Sequence, residues 1–121
     1  MSRGLGDVYK RQVQELAEKS DCVIVGRSAD YILRDKKPLR LFIYADMESR
    51  MERCRKRAPE QEHFTDKELR RHIQDVDKRR SKYYQFFTGQ TWGEKLNYDL
   101  CINTSGANIE DLVKVIAKLV K

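Results

Sequence analysis

Gly26-Arg27-Ser28-Ala29-Asp30 follows directly on the apolar run Cys22-Val23-Ile24-Val25. Open α/β sheets bind their ligands at this place, beyond the carboxyl ends of their strands. Gly26 permits a sharp turn, and Arg27 offers a planar fork of donors matched to a phosphate. Asp30 can hold that fork or accept from a base or a sugar. The spacing alone leaves two readings open, a phosphate contact and a surface ion pair with a carboxylate. A second signal is charge: Arg50 to Lys82 holds twelve Lys/Arg against seven Asp/Glu, a net +5 of the chain's formal +6. Such a field attracts phosphates on nucleotides or on nucleic acid, although two solvated helical faces would account for it equally well. His63 and His72 lack a further ligand pattern and read as surface or packing residues. Cys22, Cys54 and Cys101 have neither the even count of a disulfide framework nor the close pairs of a zinc site. Reduced thiols are expected, with Cys22 and Cys101 acting as small hydrophobes inside apolar runs, and no metal site is expected.

The elements that must position these residues alternate. Val8 to Lys19 has the spacing of an amphipathic helix. The run Cys22 to Val25, ended by Gly26, predicts a strand buried on both faces, and Leu39 to Ala45 and Tyr98 to Asn103 predict two more. Helices are expected over Ala29–Leu33, Glu48–Arg57, Thr65–Phe87 and Asn108–Val120. Thr65 with Glu68 forms a capping-box pattern, and Asn108 with Asp111 gives the last helix a start. Its stripe of Ile109, Leu112, Val113, Ile116, Ala117 and Val120 should pack on the sheet. Ala58 to His63 reads as a hinge and Thr88 to Asn97 as a loop pinned by Trp92. Tyr83, Tyr84, Phe86 and Phe87 are expected to pack the base of the long helix on the core, the other use being a base-stacking platform. Three strands are few for a sheet covered by helices on both sides, where about five is usual. The sequence therefore predicts an α/β fold with part of its sheet missing.

At 121 residues the chain is bounded to one domain. With 36% charged and 40% hydrophobic residues it has a globular rather than a disordered composition. No apolar run reaches the roughly 20 residues that a membrane crossing needs, and no signal pattern opens the chain. A cytoplasmic protein without membrane partners is expected.

Four stretches in order resemble the cytidylate kinase-like family. Cys22 to Leu33 is similar to the family's strand and nucleotide-contacting turn, and Leu41 to Arg53 to its following strand and helix. Asp77-Lys78-Arg79-Arg80-Ser81-Lys82-Tyr83-Tyr84 is similar to its distal half, as are Thr88-Gly89, Trp92-Gly93 and Asn97-Tyr98-Asp99-Leu100. The likeness runs from about Val13 to the end of the chain. It implies a P-loop NTPase fold of three α/β/α layers, with a parallel sheet and a helical lid, in which phosphate passes from ATP with Mg²⁺ to a nucleoside monophosphate. On that resemblance Arg27, Asp30 and Asp77 bind the acceptor. Arg53, Arg79 and Arg80 are the catalytic candidates among the lid arginines, which also include Arg50 and Arg57. Positive charge around the equatorial oxygens, with water excluded, is what phosphoryl transfer requires.

The departure from the family is equally specific. None of the six glycines is followed by lysine, so the G-x-x-x-x-G-K-[ST] loop that cradles the β and γ phosphates is absent from this sequence, and with it the preceding strand. The residues that would bind ATP are therefore unknown, no cofactor is expected on this chain, and the chain is expected to be inactive by itself. The expected layout is a single partial kinase domain over 1–121. Residues 1–12 form a candidate non-native start, 13–57 the strand-helix core, 58–97 the basic lid and loop, and 98–121 the last strand and helix. A nucleic-acid-binding module and a non-catalytic partner domain are the alternative functions.

Overall fold

The computed structural model describes residues 3–57 and 63–120, with backbone alone for residues 3–9. The expected hinge at Ala58 to His63 falls almost wholly outside them. Five α-helices and two strands follow in the order α1 (Arg3–Lys19), α2 (Ala29–Ile32), β1 (Leu41–Tyr44), α3 (Met47–Arg57), α4 (Asp66–Thr88), β2 (Leu100–Asn103) and α5 (Ile109–Ala117). Short 3-10 turns fill Arg34–Lys36, Lys95–Asn97 and Lys118–Val120. The helix at the amino terminus begins at Arg3, earlier than the apolar spacing indicates.

β1 and β2 pair in parallel, Leu41 opposite Leu100 and Tyr44 opposite Asn103. Parallel neighbours require a long crossover, and α3 with α4 provides it. The two carboxyl ends are bound together by Thr104, 2% exposed, whose N–H donates to the Tyr44 carbonyl at 2.8 Å. Asp46 joins the ends from the other side: its N–H donates to Ser105 Oγ at 2.7 Å, and its Oδ1 accepts from the Ser49 N–H at 2.7 Å as the cap of α3. That second bond holds the Asp46 carboxyl below its ordinary range. At the amino ends, Asp99 accepts from the Arg40 N–H at 2.7 Å and pairs with the Arg40 guanidinium.

The long helix α4 starts as its sequence requires. Thr65 Oγ1 accepts from the Glu68 N–H and Glu68 Oε1 accepts from the Thr65 N–H, both at 3.1 Å. It stops at Gly89, whose φ of 73° is left-handed and whose N–H donates to the Gln85 carbonyl at 2.8 Å. Gly93 has a stricter need for glycine: with φ at 83°, an added Cβ would also stand 3.2 Å from the Phe42 ring. Phe42 in turn meets Trp92 edge-on at 5.3 Å between centroids and Tyr98 at 5.0 Å, so Trp92 does pin its loop to β1.

Two small buried clusters hold the helices. Val13 of α1 packs with Ala29, Ile32 and Leu33, and half-buried Ala17, Ile24 and Phe87 cover this group. Met51 of α3 packs with Leu69 and Ile73 of α4, covered by Met47, Cys54 and Phe64.

The first expected strand is corrected. Residues 21–25 run without a ladder partner among the described residues, and Val23 and Val25 are 93% and 89% exposed rather than buried on both faces. An apolar extended segment becomes a strand only where another strand lies beside it, and among the described residues the sheet consists of β1 and β2 alone. Cys22 on this segment is exposed, and Cys101 is exposed too although its strand β2 is paired, so neither is enclosed as a small hydrophobe. The stripe of α5 is likewise only partly covered, with Leu112 and Ile116 half-buried and Val113 57% exposed.

Candidate functional site

The turn after residue 25 has an unusual backbone. Gly26, Arg27 and Ser28 are three successive left-handed residues, with φ of 73°, 57° and 54°. Glycine adopts this region freely, but an arginine and a serine each give up about 1–2 kcal/mol there. The conformation is fixed by the start of α2: the Ala29 N–H donates to the Gly26 carbonyl at 3.2 Å, and the Tyr31 and Ile32 N–H groups both donate to the Ser28 carbonyl. Ser28 is itself buried, 5% exposed, and its Oγ has no hydrogen-bond partner among the described residues. A buried hydroxyl left unpaired costs a further ~1–3 kcal/mol. Strain of this kind persists where surrounding structure over-determines it and concentrates at ligand sites. Arg27 is exposed at the middle of the turn, and Asp30 stands half-buried in α2.

α4 passes over this turn. Leu69, Ile73, Asp77, Arg80, Tyr84 and Phe87 recur at steps of three or four and so share one face. Leu69 and Ile73 bury this face against α3, while Tyr84 and Phe87 bury it against the α1–α2 cluster and the turn. Between these two anchorages lie Asp77, half-buried, and Arg80, exposed. Arg80 thus sits one turn of helix from the residue that touches the Gly26–Asp30 loop. Arg79, its neighbour, points about 100° away around the helix axis.

Tyr84, 5% exposed, donates from its hydroxyl to Asp30 Oδ2 at 2.6 Å. Burial first, and that bond second, push the phenol well above the ordinary tyrosine range. Tyr98, whose hydroxyl accepts from the Gly93 N–H at 3.3 Å, is also raised, chiefly by burial.

Two further expected site residues, Asp77 and Arg53, are held by structural partners. Asp77 accepts from Arg50 through both oxygens, at 2.6 and 2.7 Å, a bidentate pair whose side chains are 27% and 29% exposed. These bonds raise the Arg50 pKa, and the pair ties α3 to α4. Arg53 donates to Thr104 Oγ1 at 2.8 Å and to its carbonyl at 2.6 Å, so in this structure it braces the carboxyl end of β2. The structure therefore places Arg27 and Asp30 in one turn that Tyr84 of α4 touches, with Arg80 one helical turn before Tyr84 on the same face. It gives Asp77 and Arg53 structural partners and leaves Arg79 on the exposed side of α4.

Sequence reasoning missed Tyr84 as a member of this group, reading it as packing. Its position four residues beyond Arg80 was the available signal. Of the four aromatic residues closing α4, Phe86 alone is largely exposed, at 68%, so they do not form a stacking platform. A cleft of about 470 Å³ lies elsewhere, lined by Arg34, Lys37, Pro38, Leu39, Arg40 and Asp99 at the amino ends of the strands. Parallel sheets bind ligands at their opposite ends, and Arg40 here is already paired with Asp99. Among the described residues no group of three or more His, Cys, Asp or Glu could hold a metal ion, and no helix is long and apolar enough to cross a membrane.

The sequence matches the model of the cytidylate kinase-like family over residues 2–106. No curated protein matches it. Among solved structures, the chain is similar to the crystal structure of an uncharacterized protein from Eubacterium ventriosum, with 28% identity and a TM-score of 0.78. That similarity covers 95% of this chain, which spans only 62% of the length of the solved one.

Proposed function

Because the chain belongs to the cytidylate kinase-like family, we propose that it carries the acceptor turn and lid of a nucleoside monophosphate kinase, cytidylate-like in its acceptor. The carrying observation is the strained Gly26–Ser28 turn, tied at Asp30 to Tyr84 of α4. A left-handed run ahead of a short helix directs Arg27 outward without a supporting strand pair, and such a cost is understandable where a ligand is to be met. Arg27 takes the acceptor phosphate through its fork of donors, and Asp30 accepts from a hydroxyl or amino group of the same nucleotide. Arg80 offers its charge to the transferring phosphoryl group as α4 settles over the turn, with Arg79 a less well directed second cation. Asp77 reaches the acceptor only if its pair with Arg50 opens, and Arg53 contributes by holding β2.

The residues of this chain do not fit ATP: no glycine is followed by lysine, so nothing supplies the phosphate cradle. A strand set between residues 21–25 and β1 would complete a P-loop sheet and cover Val23 and Val25. In the solved neighbour 38% of the chain lies outside the similarity, which is room enough for such a strand and its loop. The complete enzyme would work in the cytoplasm with ATP and Mg²⁺, and the present chain would be inactive without those parts.

The test is binding rather than turnover. Cytidine 5′-monophosphate titrated into the isotopically labelled chain should shift the amide signals of Gly26 to Asp30. Arg27→Ala should weaken that binding at least about tenfold, since each charge-assisted bond is worth roughly 1.5–3 kcal/mol. Unchanged affinity in Arg27→Ala, or shifts confined to the cleft around Lys37, would refute the assignment.

A further inference from the structure

Asp30 does not choose its own direction. It stands in a helix of four residues, too short to fix a side chain by local packing, and it directs one oxygen to a phenol from a distant part of the chain. Tyr84 lies 54 residues away, on the last turns of α4, and is enclosed on the ring by its neighbours. The phenol has a single proton, and the 2.6 Å contact to Asp30 takes it. Gln90 Oε1 lies 3.0 Å from the same hydroxyl as a second, more distant acceptor for that proton. The phenol thus stands between two acceptors, and the shorter contact is to Asp30. Gln90 is held at the stop of α4: it follows the left-handed Gly89, and its N–H donates to Thr88 Oγ1 at 3.0 Å. Asp30 Oδ1 has no partner among the described residues and is the oxygen left for a ligand.

We propose that Tyr84 is a positioning residue for the acceptor: through its hydrogen bond to Asp30 it makes the carboxylate that meets the nucleotide depend on the seating of α4. The inference rests on the acceptor reading given above for the Gly26–Asp30 turn. It links the basic helix to the turn by a bond rather than by charge alone. When α4 is seated, Oδ2 is held and Oδ1 is presented in one orientation. When α4 lifts, the carboxylate is released to rotate into water, and the nucleotide loses a fixed acceptor. The same helix that brings Arg80 near the phosphate would thereby prepare the site for the rest of the nucleotide.

Binding of cytidine 5′-monophosphate to the 121-residue chain, followed by amide shifts, tests this with a double-mutant cycle. Tyr84→Phe keeps the ring and removes the donor; it should weaken binding about three- to tenfold, as loss of a bond to a charged group does. In an Asp30→Ala background the same change should have no further effect, because there is no carboxylate left to orient. A purely structural role would instead give equal losses in both backgrounds. Gln90→Leu removes the competing acceptor and leaves the whole phenol proton to Asp30; it should tighten binding, by up to about threefold, and the gain should vanish with Asp30→Ala. It serves as the test if Tyr84→Phe does not fold. If Asp30→Ala weakens binding but the Tyr84 and Gln90 changes do nothing or add independently, the positioning role is overturned and the acceptor turn stands. If the wild-type chain does not bind the nucleotide, or binds it without regard to Asp30, the acceptor reading fails and the role of Tyr84 fails with it.

Discussion

The purified 121-residue chain is expected to transfer no phosphate from ATP to any nucleoside monophosphate and to hydrolyse no ATP. Phosphoryl transfer depends almost wholly on positioning and charge stabilisation, and the first requirement is a cradle of backbone N–H groups and a lysine around the β and γ phosphates. Gly4, Gly6, Gly26, Gly89, Gly93 and Gly106 are the only glycines, and none precedes a lysine. The three left-handed residues at Gly26 to Ser28 do not substitute, since they lead into a helix of only four residues. A coupled assay for ADP with cytidine, uridine, adenosine and guanosine monophosphates measures this. Activity that copurifies with the chain through several columns and is lost in Arg80→Ala would show that a cradle exists which the sequence does not reveal.

The second large effect concerns the lid. Leu69→Ala is expected to cost about 2–5 kcal/mol, the range for removing a fully enclosed leucine and leaving part of its cavity behind. Leu69 is 0% exposed and, among the described residues, shares its cluster with two other buried residues, Met51 and Ile73. A cluster so small has little with which to refill the space. Against a total of about 5–15 kcal/mol for a typical domain, the loss would separate α3 from α4. Arg50 and Asp77 depend on that contact to meet, so their pair should be lost with it. Urea denaturation measures the change, and amide protection along α4 shows where it falls. A cost under about 1 kcal/mol would mean that the two helices are held chiefly by the Arg50–Asp77 pair instead.

The sequence announced its helices clearly because their signals are local. Thr65 and Glu68 cap α4 as read, Asn108 caps α5, and α3 runs to Arg57 as expected. β1 and β2 were legible as apolar runs and do pair in parallel. The run Cys22 to Val25 has the same composition yet forms no ladder, because strand formation is decided by a neighbour and not by the strand's own residues. The α5 stripe was visible as periodicity, but how far it is covered depends on surfaces that periodicity does not describe.

Within the site, Gly26, Arg27 and Asp30 stood out because glycine, a donor fork and a carboxylate follow an apolar run. The fates of Arg53 and Asp77 were hidden, since their partners Thr104 and Arg50 lie 51 and 27 residues away. Tyr84 was hidden for a like reason: a tyrosine at a helix base is usually packing, and only its 2.6 Å contact with Asp30 sets it apart.

The central claim is that this chain holds the acceptor side of a nucleotide kinase, and reconstitution tests it most directly. The chain would be joined to the segment of a cytidylate kinase-like protein that carries a strand and a phosphate-cradling loop, and ADP release would be followed with and without cytidine 5′-monophosphate. The account predicts ADP formation that requires the monophosphate, falls at least about tenfold in efficiency in Arg27→Ala, and loses turnover more than acceptor binding in Arg80→Ala. ADP formation indifferent to the monophosphate and unchanged in both variants would contradict it.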